Sequence, residues 1–198
     1  MASSVMHLCA TKLALDGRAG LDLILLGAVM PDGFADSAAS HWRTEERDGL
    51  RGFDLDGFLA IYGKGLCRDP YALGYYLHLL QDSHYRRIVH RRNDWNAKDP
   101  AFVEALHRDY WYLNPPLTAR WRPFLPETLP NEVRAHALCP PDAQRFLAEK
   151  RDELVDPTTG PLTVLTEDMA DEWIREAAAV TAAEVSRLDM MPSFTMMY

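Results

Sequence analysis

His78 and Asp82 stand four residues apart in the apolar run Pro70-Tyr-Ala-Leu-Gly-Tyr-Tyr-Leu-His-Leu-Leu-Gln-Asp82. Side chains at that spacing share a helix face, one turn from each other. An imidazole and a carboxylate on an apolar helix are costly unless something satisfies them. A divalent metal ion satisfies both at once. The same residue types recur upstream, where Asp32 follows Pro31, His41 precedes Trp42, and His7 lies near the start. Imidazole with carboxylate suits zinc, iron or manganese, zinc first among them. Taken singly, each residue has a structural alternative. His78 and Asp82 can tie helices together by a hydrogen bond, His7 can cap or face solvent, Asp32 can close a turn after Pro31, and His41-Trp42 can be loop packing. Five such ligands, each at a helix face or helix end, point together to a metal-dependent hydrolase.

The elements that must position them are helical. Residues 4–16 read as an amphipathic helix capped by Ser3 or Ser4, broken by Gly17 and Gly20. Residues 21–29 form a nearly all-apolar, buried helix, which Pro31 stops, presenting Asp32 just past its end. Residues 33–52 read as loop and 54–63 as a short helix. Pro70 opens the strongest helix, which runs to about residue 92. A further helix over 101–113 is ended by Pro115-Pro116, and the proline-rich stretch 115–141 wraps the surface with short helical pieces. Residues 142–155 are a charged amphipathic helix. Thr163 or Thr166 caps a last long helix through residue 188. With no useful alternating strand pattern and no internal repeat, the expectation is an all-α, single-domain helical bundle over 1–188, followed by a methionine-rich tail over 189–198. That tail (Met190, Met191, Met196 and Met197) can cover an apolar groove, mediate self-association as a homo-oligomer, or stay disordered.

Composition narrows the function. The chain has 198 residues, 47% of them hydrophobic and 25% charged, and a formal net charge of −8. The size favours one domain with an ample core. The acidic balance argues against an extended nucleic-acid-binding surface. No apolar run is long enough to cross a bilayer. Met1-Ala-Ser-Ser carries no basic segment of the kind that opens a leader. Cys9, Cys67 and Cys139 are odd in number and widely spaced, without a CxxC pair. Reduced thiols in a cytoplasmic protein are the expectation.

The order of motifs resembles a family. His7, then Leu26-Gly-Ala-Val-Met-Pro-Asp32, Ser40-His41 and Leu73-Gly-Tyr-Tyr-Leu-His-Leu-Leu-Gln-Asp82 are similar to the pattern of the zinc-dependent phospholipase C-like proteins. These are the all-helical relatives of bacterial phospholipase C and of the single-strand-specific fungal nucleases. The specific motifs occupy the first 82 residues, and Leu165-Thr-Glu-Asp-Met-Ala before a long helix is a weaker match. The resemblance implies the helical fold of that family and a site of one or two ions hydrolysing a small phosphoester. His7, Asp32, His41, His78 and Asp82 would be the metal ligands, and a metal-bound hydroxide would be the nucleophile. Asp32 or Asp82 would serve as base or as bridge between ions about 3.5–4 Å apart. No residue is assigned as general acid.

The chain departs from the family at several points. Secreted members use an N-terminal tryptophan as a ligand, and this sequence begins Met-Ala-Ser-Ser. They also carry a later His and a His-x-x-x-Glu. Here the substitutes are His84, His90 with Asp94, and His107 with Asp109. Beside the metals, Arg86, Arg87, Arg91 or Arg92 could hold a substrate phosphate, or could simply favour a helix C-terminus; His107 is a further candidate substrate contact. The rival readings are an HD-type phosphohydrolase, which the lack of any His-Asp dipeptide opposes, and a non-catalytic metal-binding or interaction protein on the same scaffold.

Overall fold

Apolar periodicity and capping residues turn most of the chain into helix. The computed structural model describes residues 2–47, 50–96 and 98–190, and of residues 45–47, 50, 51 and 88 the backbone alone. Helix α1 (Ser4–Leu15) starts where the Ser3 hydroxyl accepts the Met6 N–H at 3.2 Å. Helix α2 (Leu21–Gly27) leads through a 3-10 turn (Met30–Gly33) to α3 (Ser37–Ser40), whose C-cap is His41. Then come α4 (Leu55–Tyr62) and α5 (Pro70–Tyr85), capped by Asp54 and Asp69. A π-helical turn (Arg86–His90) extends α5. Helix α6 (Pro100–Trp121), the short α7 (Asn131–Arg134), α8 (Ala143–Val155) and α9 (Glu167–Asp189) complete the order. Thr166 is the cap of α9, its hydroxyl accepting the Met169 N–H.

Helix α1 lies among α2, α5, α6 and α9 and packs against each. Two apolar clusters flank it. One gathers Leu8, Leu25, Leu26, Phe58, Tyr75, Leu77 and Leu147, and the other Met6, Cys9, Tyr85, Leu113, Leu117 and Trp173. α1 and α5 contribute to both, so the polar residues they carry inward are enclosed. Helices α2 and α5 cross closely because each offers a glycine. A Cβ on Gly27 would run into the Tyr71 carbonyl oxygen, and one on Gly74 into the Ile24 carbonyl oxygen. That crossing sets the end of α2, and hence Asp32, against the inner face of α5.

The helical expectation stands in its main elements, with three corrections. Residues 33–52, read as loop, contain the short helix α3 and most of an antiparallel strand pair, β1 (Arg43–Arg47) and β2 (Leu50–Phe53), with Arg43 opposite Phe53. Pro115 and Pro116 do not end α6, which continues to Trp121. Leu113 and Leu117, on either side of the prolines, are both buried in the second cluster, and that packing outweighs the two backbone donors the prolines remove. The long helix from Pro70 changes to π geometry at Arg86 instead of running on as regular α-helix. No described helix is long and apolar enough to cross a membrane. Met190 is exposed, and Met191, Met196 and Met197 lie outside the described residues.

Candidate metal centre

The five residues singled out from the sequence converge. His7 comes from the first turn of α1, Asp32 from the 3-10 turn, His41 from the C-cap of α3, and His78 and Asp82 from the inner face of α5. His41 Nε2 is 3.1 Å from His78 Nε2 and 3.2 Å from Asp32 Oδ1. His78 Nε2 is 3.8 Å from Asp32 Oδ1 and 3.7 Å from Asp82 Oδ2. His7 Nε2 lies 3.2 Å from Asp82 Oδ1, and the His7 ring stacks on His78 with centroids 4.0 Å apart. Two sets of donor atoms, His7/His78/Asp82 and Asp32/His41/His78, could each hold a metal ion.

The outer partners fix which ring nitrogens face inward. His78 Nδ1 donates to the Ala28 carbonyl at 2.8 Å and His41 Nδ1 to the Ser37 carbonyl at 2.9 Å. Carbonyl oxygens only accept, so both Nδ1 atoms carry hydrogen, and a ring in its neutral form then turns its Nε2 lone pair inward. His7 Nδ1 meets Gln81 Oε1 at 2.8 Å, while the Gln81 amide group donates to the hydroxyls of Thr11 and Thr181. In its neutral form His7 then turns its Nε2 lone pair inward as well. Outer partners of this kind orient imidazole ligands in metal sites.

The electrostatics couple the carboxylates to the imidazoles. Burial pushes the His78 imidazole down to about 3, with His7 and His41 adding to the effect. Burial alone would raise Asp32, but His78, His41 and His7 hold it well below the usual carboxylate range. Asp82 is likewise held low, against burial, by His7 and then His78. Burial draws His7 down, yet Asp82 and the more distant Asp32 outweigh it and leave the imidazole above its ordinary value. The centre is thus two carboxylates facing three imidazoles. Neither His7 Nε2 nor Asp82 Oδ2 makes a hydrogen bond, although both are buried.

These residues fit a transition metal ion. Donor separations of 3.1–3.9 Å around His41 and His78 match the edges of roughly 3.3 Å that a tetrahedron with bonds of about 2.0–2.1 Å requires. Asp82 turns Oδ2 toward His41 and His78 and Oδ1 toward His7, so its carboxylate spans both halves. Asp32 turns one oxygen inward while the other accepts the Ser4 hydroxyl at 3.2 Å. Of the two carboxylates, Asp82 is the one whose oxygens face both donor sets. His7, His41, His78 and Asp82 are fully buried, whereas the Asp32 side chain is 20% exposed. Asp32 is where the centre meets solvent.

The substitute ligands do not join the cluster. His84 Nε2 faces Glu176 of α9 at 3.5 Å. His90 is buried edge-on against Tyr85 and Trp95. Asp109 is wholly buried and accepts the backbone N–H groups of Thr163, Val164 and Leu165. His107 is exposed on α6 and stacks over Tyr110. Arg87 is exposed on the π turn, and Arg86, half-buried at its start, turns its charge toward His90. Arg92 pairs with Glu172 and Glu176 on α9. Residue types alone do not single out Gln81, Ser4, Thr11 and Thr181. Gln81 carries the one legible signal, a polar residue beside Asp82 on an apolar helix.

Comparison with protein-family models, with curated proteins and with solved structures finds no match to the chain.

Proposed function

We propose that the protein is a metal-dependent hydrolase of a small phosphoester, with the helical architecture of the phospholipase C and fungal nuclease type and a cytoplasmic setting. One observation carries the reading. Three imidazoles turn Nε2 inward onto two carboxylates in two adjoining donor sets, and of the five residues only Asp32 reaches solvent. His41, His78, Asp32 and Asp82 Oδ2 would hold one ion, and His7 with Asp82 Oδ1 a second; zinc suits the donors best, with iron or manganese the alternatives. When bound, such ions lower the pKa of water and stabilise charge on phosphoryl oxygens. The chain's own residues do the rest. The carbonyls of Ala28 and Ser37 and the Gln81 amide hold the rings in register. Ser4 keeps the outer Asp32 oxygen turned from the ligand cluster. Asp32, the ligand at the solvent edge, would be the first of the five that an incoming water meets.

The test is hydrolysis of bis(4-nitrophenyl) phosphate and 4-nitrophenyl phosphate by metal-loaded protein, chelated protein and His41→Ala. Turnover by the loaded wild type alone supports the reading. A fully loaded protein that hydrolyses neither overturns it in favour of a structural ion, to which the complete burial of four of the five ligands lends weight.

A further inference from the structure

The three imidazoles are not anchored alike. His41 and His78 give their Nδ1 hydrogens to backbone carbonyls, of Ser37 and Ala28. Those acceptors belong to the chain path and no side-chain motion removes them. His7 instead depends on the Gln81 side chain, which presents Oε1 at 2.8 Å. Gln81 is fully buried, and its amide nitrogen donates to Thr11 Oγ1 of α1 at 2.9 Å and to Thr181 Oγ1 of α9 at 3.0 Å. Both amide hydrogens are thereby used, so the carbonyl end is the one left for His7. Thr11 and Thr181 are themselves fully buried. Helix α9 supplies none of the five ligands. It nevertheless holds one end of this clamp, and its Trp173 meets the His7 ring edge-on at 5.8 Å.

We infer that Gln81 is the positioning residue of His7, and that it makes the His7–Asp82 half of the centre conditional on the docking of α9. With Thr181 in place, Gln81 keeps hydrogen on His7 Nδ1 and the lone pair on Nε2, beside Asp82 Oδ1. Without Thr181 the amide can turn over, the tautomer is no longer imposed, and Nε2 can carry the hydrogen and stop ligating. The Asp32/His41/His78 half keeps its backbone anchors throughout. Linkage is reciprocal, so an ion on the His7 side tightens α9 against α1 and α5. This rests on the metal-binding part of the proposed function and not on hydrolysis; a protein that turns over no phosphoester leaves it intact.

The experiment is a calorimetric titration of the metal-free full chain with zinc, for wild type, Thr181→Val, Gln81→Leu and Gln81→Glu, with amide hydrogen exchange of α9 followed through the wild-type titration. Thr181→Val keeps the shape of the side chain, and thermal melts confirm which variants fold. The wild type is expected to take two equivalents. In Thr181→Val and Gln81→Leu one equivalent weakens about 10–100-fold, the scale for loss of an outer partner, and the other stays within about twofold. Gln81→Glu, whose carboxylate still accepts from Nδ1–H, restores the weakened equivalent. α9 amides slow on filling the second equivalent. A wild type that takes a single ion, Thr181→Val with both equivalents unchanged or both weakened together, or α9 exchange indifferent to zinc would each overturn the inference.

Discussion

His41 Nε2 and His78 Nε2 face each other at 3.1 Å while each ring gives its other hydrogen to a backbone carbonyl. In their neutral forms two imidazoles so held present lone pair to lone pair, and the contact is repulsive unless a proton or a metal ion lies between them. Burial keeps His78 from taking a proton near neutrality, at about 3. A metal ion that binds the folded chain should therefore stabilise it by mass action. At a hundredfold excess over Kd the gain is about 2.7 kcal/mol, or about 5–11 °C in Tm for a chain of this size. Scanning calorimetry with zinc and with chelator measures it, and His41→Ala should reduce the shift.

The reciprocal glycines give a second expectation. A methyl group at Gly74 meets the Ile24 carbonyl oxygen, which is backbone and can move only if α2 moves. Gly74→Ala should cost about 1–3 kcal/mol. Because α2 leads to Asp32, it should also weaken metal binding, whereas Gly17→Ala, which meets nothing within 4 Å, should lower stability through its positive φ without disturbing the ligands. Chemical denaturation and metal titration of the two variants separate these effects.

Asp109 separates structure from chemistry. Its buried carboxylate gathers three successive backbone N–H groups just before α9. Asp109→Ala strands them and should cost about 3 kcal/mol or more, with metal stoichiometry unchanged in whatever fraction folds. Loss of metal from well-folded Asp109→Ala protein would return this residue to the site.

His90, which is not among the ligands, gives a pH dependence of its own. Neither ring nitrogen has a partner. Burial, reinforced by Arg86 and only partly opposed by the Asp82 carboxylate, pushes the imidazole from 6.5 down to about 4. Between those values the unfolded chain binds a proton that the folded chain refuses, so stability falls as pH drops through this window. His90→Phe removes the difference. Its Tm relative to wild type should rise steadily from pH 6.5 to pH 4 and stay flat above 7. A constant difference across the whole range would contradict the assignment.

Much of this was legible beforehand because local rules carried it. Asp69-Pro70, Asp99-Pro100 and Thr166 mark helix starts by capping chemistry that needs no tertiary context. His78 and Asp82 share a face by helix geometry alone. What stayed hidden depends on distant partners. Arg43-Thr-Glu-Glu-Arg47 has no apolar alternation to announce a strand, and pairs only because Leu50–Phe53 returns beside it. The helix passes through Pro115-Pro116 because Leu113 and Leu117 are buried in the core. Gln81 meets Thr11 and Thr181 across 70 and 100 residues of chain. His84, His90 and His107 have the right chemistry for ligands, and only the fold shows that they face Glu176, the Tyr85 and Trp95 rings, and solvent.

The most direct test of the centre is the metal content of the purified protein by elemental mass spectrometry, beside His78→Ala and Asp82→Ala. The account requires about one to two equivalents of a transition metal in the wild type, lost or sharply reduced in both variants. A wild type that is metal-free, fails to rebind zinc, iron or manganese, and folds as well with either substitution would contradict it, leaving His78 and Asp82 as a buried polar pair.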